Sequence, residues 1–268
     1  DIEQLRVQIN NFYIEKGYIM SRVYLVPNQN LKAGILEFEI KEGEIEEIRI
    51  NGNNKLSDRV RILTAFPYAK ESFNLRDVEQ GLDQINRLQS SNATMKILPG
   101  TEGGKSIVEI VNDEKRTTSA KIGYDNLGQK STGERRRVLT LQQDNLLMLN
   151  DNLYINYTHD QEGNDRIKNS RNLYTSFSVP YGYWLYQLSA TDSRYLNTVQ
   201  LTNSTLKSSG ETQSYSLEIS RVIQRGKRTN TSMSGNLTKR NTASYADGSK
   251  LDVSSRKLTT LDLGLKHR

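Results

Sequence analysis

YDNLGQKSTGERRRVLTLQQDNLLMLND, residues 124–151, is the stretch on which the fold turns. Asp125-Asn126-Leu127-Gly128 is turn chemistry, because Asn and Gly tolerate positive φ. Arg135–Gln143 then alternates as a strand, and DNLLMLND is a short connection to the next one. The pattern continues outward from this hairpin. Eight alternating stretches are predicted: about 117–124, 135–143, 152–158, 171–179, 184–195, 214–222, 229–238 and 257–266. In the third, Leu153, Ile155 and Tyr157 face one way and Tyr154 and Asn156 the other; Leu261, Leu263 and Leu265 likewise oppose Asp262 and Lys266. A soluble sandwich would alternate in the same way.

Two features favour a membrane barrel. The connections after the second, fourth and sixth stretches are short (DNLLMLND, PYGY, IQRGKR), whereas QEGNDRIKNS and NTVQLTNSTLKSSGETQ are longer and polar. Outer-membrane barrels have short periplasmic turns and long external loops. Turns near Leu147, Gly182 and Gly226 are therefore expected on the periplasmic side, and loops near Gly163, Ser204 and Asp247 outside. Aromatics also sit near strand ends. Tyr181, Tyr183 and Trp184 lie at one turn, and Tyr195 is expected at the far end of the same strand. Eleven steps of ~3.3 Å, tilted ~45°, span about 26 Å along the membrane normal, near the ~25 Å apolar band of such barrels.

Upstream, residues 1–115 carry an internal repeat. Ile2, Leu5, Ile9 and Phe12 mark one helix face, and Leu75, Val78, Leu82 and Ile85 repeat it at a constant offset of 73. Strands 22–26 and 94–98 follow, each running into a proline, and then Ile35–Phe38 and Ile107–Ile110. The second unit reads β-α-α-β-β: strand 44–50, a turn at Asn51-Gly52-Asn53, a short helix capped by Ser57 and ended near Pro67, and a helix capped by Asn74. The first unit lacks the opening strand and helix. Lys41-Glu42-Gly43 leaves almost no linker.

Bulk composition excludes other classes. Only 35% of residues are hydrophobic, the mean hydropathy is −0.69, and no apolar run reaches the roughly 20 residues of a spanning helix. There is no cysteine, so disulfides and thiolate sites are excluded. His159 and His267 are too far apart in sequence to suggest a metal or triad set; no cofactor, metal or catalytic residues are assigned. Residues 1–115 carry 15 basic and 18 acidic side chains, and the rest carry the remaining 22 and 13. The excess basic residues are scattered among Ser, Thr and Asn, which argues against nucleic acid. Gly103-Gly104-Lys105-Ser106 is not a P-loop: the first glycine would fall at Pro99 and the segment opens a strand, so no nucleotide is expected.

These residues carry a family resemblance. GEIEEIRINGNNKLS, MKILPG and GKSIVEI are similar to a POTRA domain, and the first hairpin, with Asp125, Asn126, Gly128, Thr132 and Gly133, resembles the start of the two-partner secretion barrel of ShlB/FhaC/HecB type. VPYGYW resembles a later turn of that barrel. The resemblance implies α+β POTRA modules followed by an antiparallel transmembrane β-barrel. Its boundaries are 1–42 for the end of a first POTRA domain, 43–115 for a second, and 116–268 for about half of a sixteen-strand barrel. It implies a Gram-negative outer-membrane location with periplasmic POTRA domains. The partners implied are outer-membrane lipid or lipopolysaccharide and a secreted exoprotein with an N-terminal secretion domain. Cargo would be captured unfolded on POTRA edge strands at Val23, Leu25, Met95 and Ile97, with no nucleotide hydrolysis. A BamA-type insertase and a plain porin or adhesin barrel are the alternatives.

Overall fold

The computed structural model describes all residues except 30–33, 53–54, 68–71, 162–166 and 201. The first unit is helix α1 (Ile2–Glu15) with a two-stranded antiparallel ribbon, β1 (Arg22–Leu25) and β2 (Phe38–Lys41). The predicted strand at Ile35–Phe38 begins three residues later. The Gln29 side-chain amide accepts from the Glu37 N–H (2.8 Å) and donates to its carbonyl (3.2 Å), so Glu37 is held by a side chain just before the strand starts.

The second unit contains β3 (Glu44–Ile50), α2 (Leu56–Ala65), α3 (Leu75–Asn86), β4 (Ala93–Pro99) and β5 (Lys105–Asn112). Its sheet has the order β3-β5-β4, with β3 parallel and β4 antiparallel to β5. Alternate residues of β5 point inward, where Val108 and Ile110 meet Phe73, Val78 and Ile85. Each such burial stabilises by about 1.5–3 kcal/mol. The Phe66 ring lies over Gly81 so closely that a Cβ there would come within 2.1 Å of it. Asn74 caps α3, accepting from the Arg76 N–H at 2.8 Å. Ser57 does not cap α2: the helix starts at Leu56, which leaves Lys55 at the cap without a side-chain bond. The segment after Gly104 opens β5, and Ser106 is fully buried.

The remainder is one antiparallel meander. Its strands are β6 (Thr118–Asp125), β7 (Arg136–Asp144), β8 (Asn152–Gln161), β9 (Asn169–Tyr181), β10 (Trp184–Gln200), β11 (Thr205–Arg225), β12 (Asn230–Ala246), the two-residue β13 (Ser249–Lys250) and β14 (Arg256–His267). Among the described residues β6 pairs with β7 alone and β14 with β12 alone, so the sheet ends in two edges. All eight predicted stretches are strands, but several are longer than expected. β10 and β11 continue to Gln200 and from Thr205, so most of NTVQLTNSTLKSSGETQ is ladder, not loop. The cause is physical: beyond the membrane neither face of a strand meets lipid, so polar residues occupy both faces and the alternation that marks a strand vanishes. β11 has 21 residues, about 66 Å at ~3.3 Å per step, and even at ~45° tilt exceeds the ~25 Å band. The expected contrast between short and long connections is correspondingly weaker. The loop near Gly163 lies outside the described residues.

Candidate docking site at the barrel rim and the module edges

The three short turns all sit on α2 and α3. At the first, Asn150 is fully buried with φ 54°. Its Nδ2 donates to the Arg61 carbonyl (2.7 Å) and to Thr64 Oγ1 (2.9 Å), while Arg61 Nε donates to its Oδ1 (3.1 Å). Arg61 also pairs with Glu114. Arg87, just past α3, donates to the Asn150 carbonyl (2.5 Å) and to Ser178 Oγ (2.8 Å). Burial pushes the Arg87 guanidinium below its ordinary value, opposed by Asp144 and Asp151. At the second turn the Gly182 N–H donates to the Thr64 carbonyl (2.9 Å), and Gln84 Nε2 donates to the Gly182 carbonyl (2.9 Å). Gly182 has φ 56° and a Cβ there would stand 3.0 Å from Pro67 Cα, so only glycine fits without strain. The Tyr183 hydroxyl donates to Asp77 Oδ1 at 2.5 Å; burial, then the Asp77 bond, raises the phenol above its ordinary value. At the third, Arg225 donates to Gln80 Oε1 (2.9 Å) and Asp83 Oδ2 (2.6 Å).

The sheet has two chemically distinct faces. The β7–β14 register puts Gln143, Leu153, Phe177, Leu188, Leu217, Leu237 and Leu261 in one ladder row, and nearly all of it is apolar. The neighbouring residues on each strand, such as Gln142, Tyr154, Ser178, Gln187, Ser216 and Thr238, form the polar face. Trp184 and Tyr181 pair across their hairpin at the lower edge of the apolar face, and the Arg221 guanidinium lies 4.9 Å from the Trp184 ring centroid. Tyr195 does not share that face. It is an odd number of residues from Trp184, and its ring covers Gly210 on the polar side. Tyr183 is also not on the apolar face, being tied to α3. The residue that closes the apolar face on β10 is Arg194, ten steps from Trp184. That is about 23 Å along the normal at ~45°, close to the ~25 Å band.

The hairpin motif builds its own loop. Asp125 accepts from the Leu127 N–H (2.9 Å) and takes both Nε and Nη2 of Arg136 (2.8 and 3.0 Å). Asn126 follows it into the loop. Gly128 donates its N–H to the Glu134 carbonyl (2.9 Å), and a Cβ there would lie 2.1 Å from the Gly133 oxygen. Gly133 has φ 134°, and the Thr132 and Gly133 N–H groups both donate to the Gln129 carbonyl. Thr132 is buried. The loop overhangs the polar face, sharing a cleft with Asp160, Tyr195 and Asn197.

The module edges follow from bond parity. Gly100 N–H donates to Lys105 and Asp113 N–H to Asn92, so the even-numbered residues of β4 exchange bonds with β5. Odd-numbered ones point their N–H and C=O away. At Ala93 both outward groups are taken by the Asn86 amide (2.6 and 2.9 Å). Met95 and Ile97 face the open edge, followed by Pro99, which has no N–H to expose. On β1 the bond from Val26 N–H to Glu37 makes Val23 and Leu25 outward. Val23 is buried and its carbonyl accepts from Arg6 (3.2 Å); Leu25 is exposed.

The family profile described as haemolysin secretion/activation protein ShlB/FhaC/HecB matches residues 104–268, a POTRA profile matches 44–99, and a ShlB-type POTRA profile matches 1–43. The chain belongs to the ShlB/FhaC/HecB family. Among its relatives, outer membrane transporter CdiB of Dickeya dadantii (strain 3937) is 38% identical over 267 residues, 99% of this chain and 47% of that protein. Hemolysin transporter protein ShlB of Serratia marcescens is 34% identical, over 100% of this chain and 47% of its own length. The solved structure of CdiB from Escherichia coli superimposes with a TM-score of 0.90 at 33% identity, covering 99% of this chain and 49% of that one. The chain spans about half the length of the relatives it matches. As in the family, its place is the outer membrane, with POTRA modules in the periplasm. The turns near Leu147, Gly182 and Gly226 therefore lie at the periplasmic end.

Sequence reading did not find the rim contacts. Asp77, Gln80, Gln84 and Arg87 form a polar stripe at helical spacing, opposite Val78, Leu82 and Ile85. In a sequence, a polar stripe docked on another domain has the same pattern as one in water.

Proposed function

We propose that this chain serves an outer-membrane translocator. Periplasmic POTRA modules capture an unfolded exoprotein through its N-terminal secretion domain, and the barrel passes it outward without nucleotide hydrolysis or any enzymatic step. We divide it into residues 1–42, the end of one POTRA domain, 43–115, a second, and 116–268, the first part of the barrel. The reading is supported above all by the open edge at Met95 and Ile97, on a module fastened to three turns of the rim. A strand added there would satisfy backbone groups with little dependence on side chains, which suits a cargo that arrives unfolded. Of the first unit, Leu25 offers the better contact. Asp125, Asn126, Gly128, Thr132 and Gly133 shape the outer loop, and Tyr181 and Trp184 anchor the periplasmic interface.

The test uses the full-length protein in its membrane. Met95→Pro and Ile97→Pro each remove one outward donor without removing a β4–β5 bond. Both variants are expected to reach the outer membrane, to bind the secretion domain several-fold more weakly, and to secrete less cargo. Wild-type binding by the folded double variant would show that the cargo docks elsewhere.

A further inference from the structure

On the outward face the apolar rows end in cations. In the register, Arg137, Arg171 and Arg194 share one row, with the His159 imidazole between the first two. Lys239 and Lys257 close the apolar face on β12 and β14. Arg194 is engaged by Asp192 (3.1 Å) and lies 4.0 Å from Glu211. Among the described residues no carboxylate lies within ion-pair distance of Arg171, Lys239 or Lys257, and all three side chains are exposed. Cations on the lipid-facing side of a barrel are costly at mid-membrane and tolerated at its interfaces. These lie at the end remote from the POTRA module, so the interface is the outer one.

The stagger of the strands brings two of them to one level. The first periplasmic turn aligns with Ser178, yet β9 continues three residues to Tyr181; the second aligns with Arg221, and β11 continues four residues to Arg225. Each hairpin thus steps three to four residues relative to the ladder. The row of Arg171 meets β12 at Ala243, four residues beyond Lys239. From β9 to β12 is one and a half hairpins, a step of about five residues, which nearly cancels that difference. Arg171 and Lys239 therefore sit at about the same depth, three strand spacings (about 14 Å) apart across the sheet and four residues (about 13 Å) apart along it, or roughly 20 Å in all. Below them lies an apolar trough of about 550 Å³, where Ala190 and Thr175 leave room between Tyr215, Leu188 and Phe177, and Lys239 stands at its margin; Asp192, on the outward face between the two cations, is paired with Arg194.

We propose that this trough binds one outer-leaflet glycolipid carrying two phosphates on its sugar headgroup. Arg171 takes one phosphate by paired N–H donors, and Lys239 with Lys257 takes the other. An acyl chain lies over Ala190 and Thr175. Two cations at one depth with apolar space beneath match a phosphate pair above hydrocarbon. The site depends on the outer-membrane placement and not on how cargo is captured.

The test is thermal unfolding of the purified full-length transporter in detergent with three added lipids: a bisphosphorylated lipid A, its dephosphorylated form, and an anionic phospholipid at equal charge. The bisphosphorylated lipid is expected to raise the midpoint most. Arg171→Gln with Lys239→Gln should lose most of that rise, as should Ala190→Trp, which fills the trough. Lys266→Gln on the polar face should keep it. Native mass spectrometry of the wild type, which needs no variant to fold, should show one retained lipid A. An equal rise with the dephosphorylated lipid or the phospholipid, an undiminished rise in the double variant, or no retained lipid A would each overturn the assignment.

Discussion

The POTRA module and the barrel sheet use the same strand pattern to opposite ends. On β5, alternate residues Val108 and Ile110 have no exposed surface. On β14, alternate residues Leu261, Leu263 and Leu265 are 67–78% exposed. Alternation specifies that a strand has two unlike sides; it does not specify what covers the apolar one. In the module the cover is two helices, supplied by the same chain within 60 residues. Among the described residues of the sheet only a single 3-10 turn, Asp252–Ser254, intervenes between strands, too short to cover a face, and the cover is lipid. The seam between the two regions is polar. Asn150, Arg61, Arg87 and Gln84 exchange hydrogen bonds where each region alone would meet water.

The sharpest way to break this comparison is to charge the apolar face. Leu188 lies near the middle of β10's apolar run, and Ser189, its neighbour, lies on the polar face. Leu188→Arg is expected to destabilise the full-length protein by about 2–4 kcal/mol, and Ser189→Arg far less. Urea-dependent unfolding in lipid vesicles measures both. Equal effects would mean that the two faces meet the same solvent, and the assignment of the leucine face to lipid would be lost.

How much of this was legible in the sequence depends on which face a residue reports. Helix α3 was legible to its cap, because Leu75, Val78, Leu82 and Ile85 pack into a core and Asn74 precedes them. The eight barrel strands were legible as far as lipid touches them, and no further: beyond Arg194 and Lys239 both faces are wet. Tyr195 misled because aromatic character was counted without parity, and eleven residues reverse the face of a strand. Ser57 misled because a cap depends on where the chain turns, and the helix begins one residue earlier. The rim contacts were illegible for another reason. Gln84 and Arg87 bond to backbone carbonyls of turns that are 98 and 63 residues away in sequence, and backbone partners leave no trace in residue type.

A second test sharpens the contrast at the seam. Asn150→Ala removes a partner of the Arg61 carbonyl, Arg61 Nε and Thr64 Oγ1 in one step. The Arg61 carbonyl and Thr64 Oγ1 still bond to each other (3.1 Å), so the cost falls on Arg61 Nε, a buried donor left without its partner, at about 1–3 kcal/mol less whatever water restores. The expected outcome is a module that remains folded but is cut faster by protease between residues 112 and 118, while the barrel keeps its heat-resistant mobility on gels. If the barrel unfolds instead, the seam is part of its core and the two regions are not separable.

The smallest expected effect is a pH dependence confined to the seam. Tyr183 donates its phenolic proton to Asp77, and burial and that bond hold its pKa above the ordinary phenol value. The folded state therefore keeps this proton at pH values where the unfolded chain releases it. A raised acid pKa gives stability that is complete below the unfolded value, near ~10, and is lost as pH rises through the folded one. Attachment of the module to the second turn should thus be indifferent to pH between about 7 and 9 and weaken above about 10. Other tyrosines and lysines titrate in the same range, so the informative quantity is the difference from Tyr183→Phe. That variant has no proton to release and should lose part of the alkaline increase in protease cleavage at residues 112–118, while being slightly looser at neutral pH. Identical alkaline profiles for the two proteins would show that the Tyr183–Asp77 bond does not hold the module to the rim.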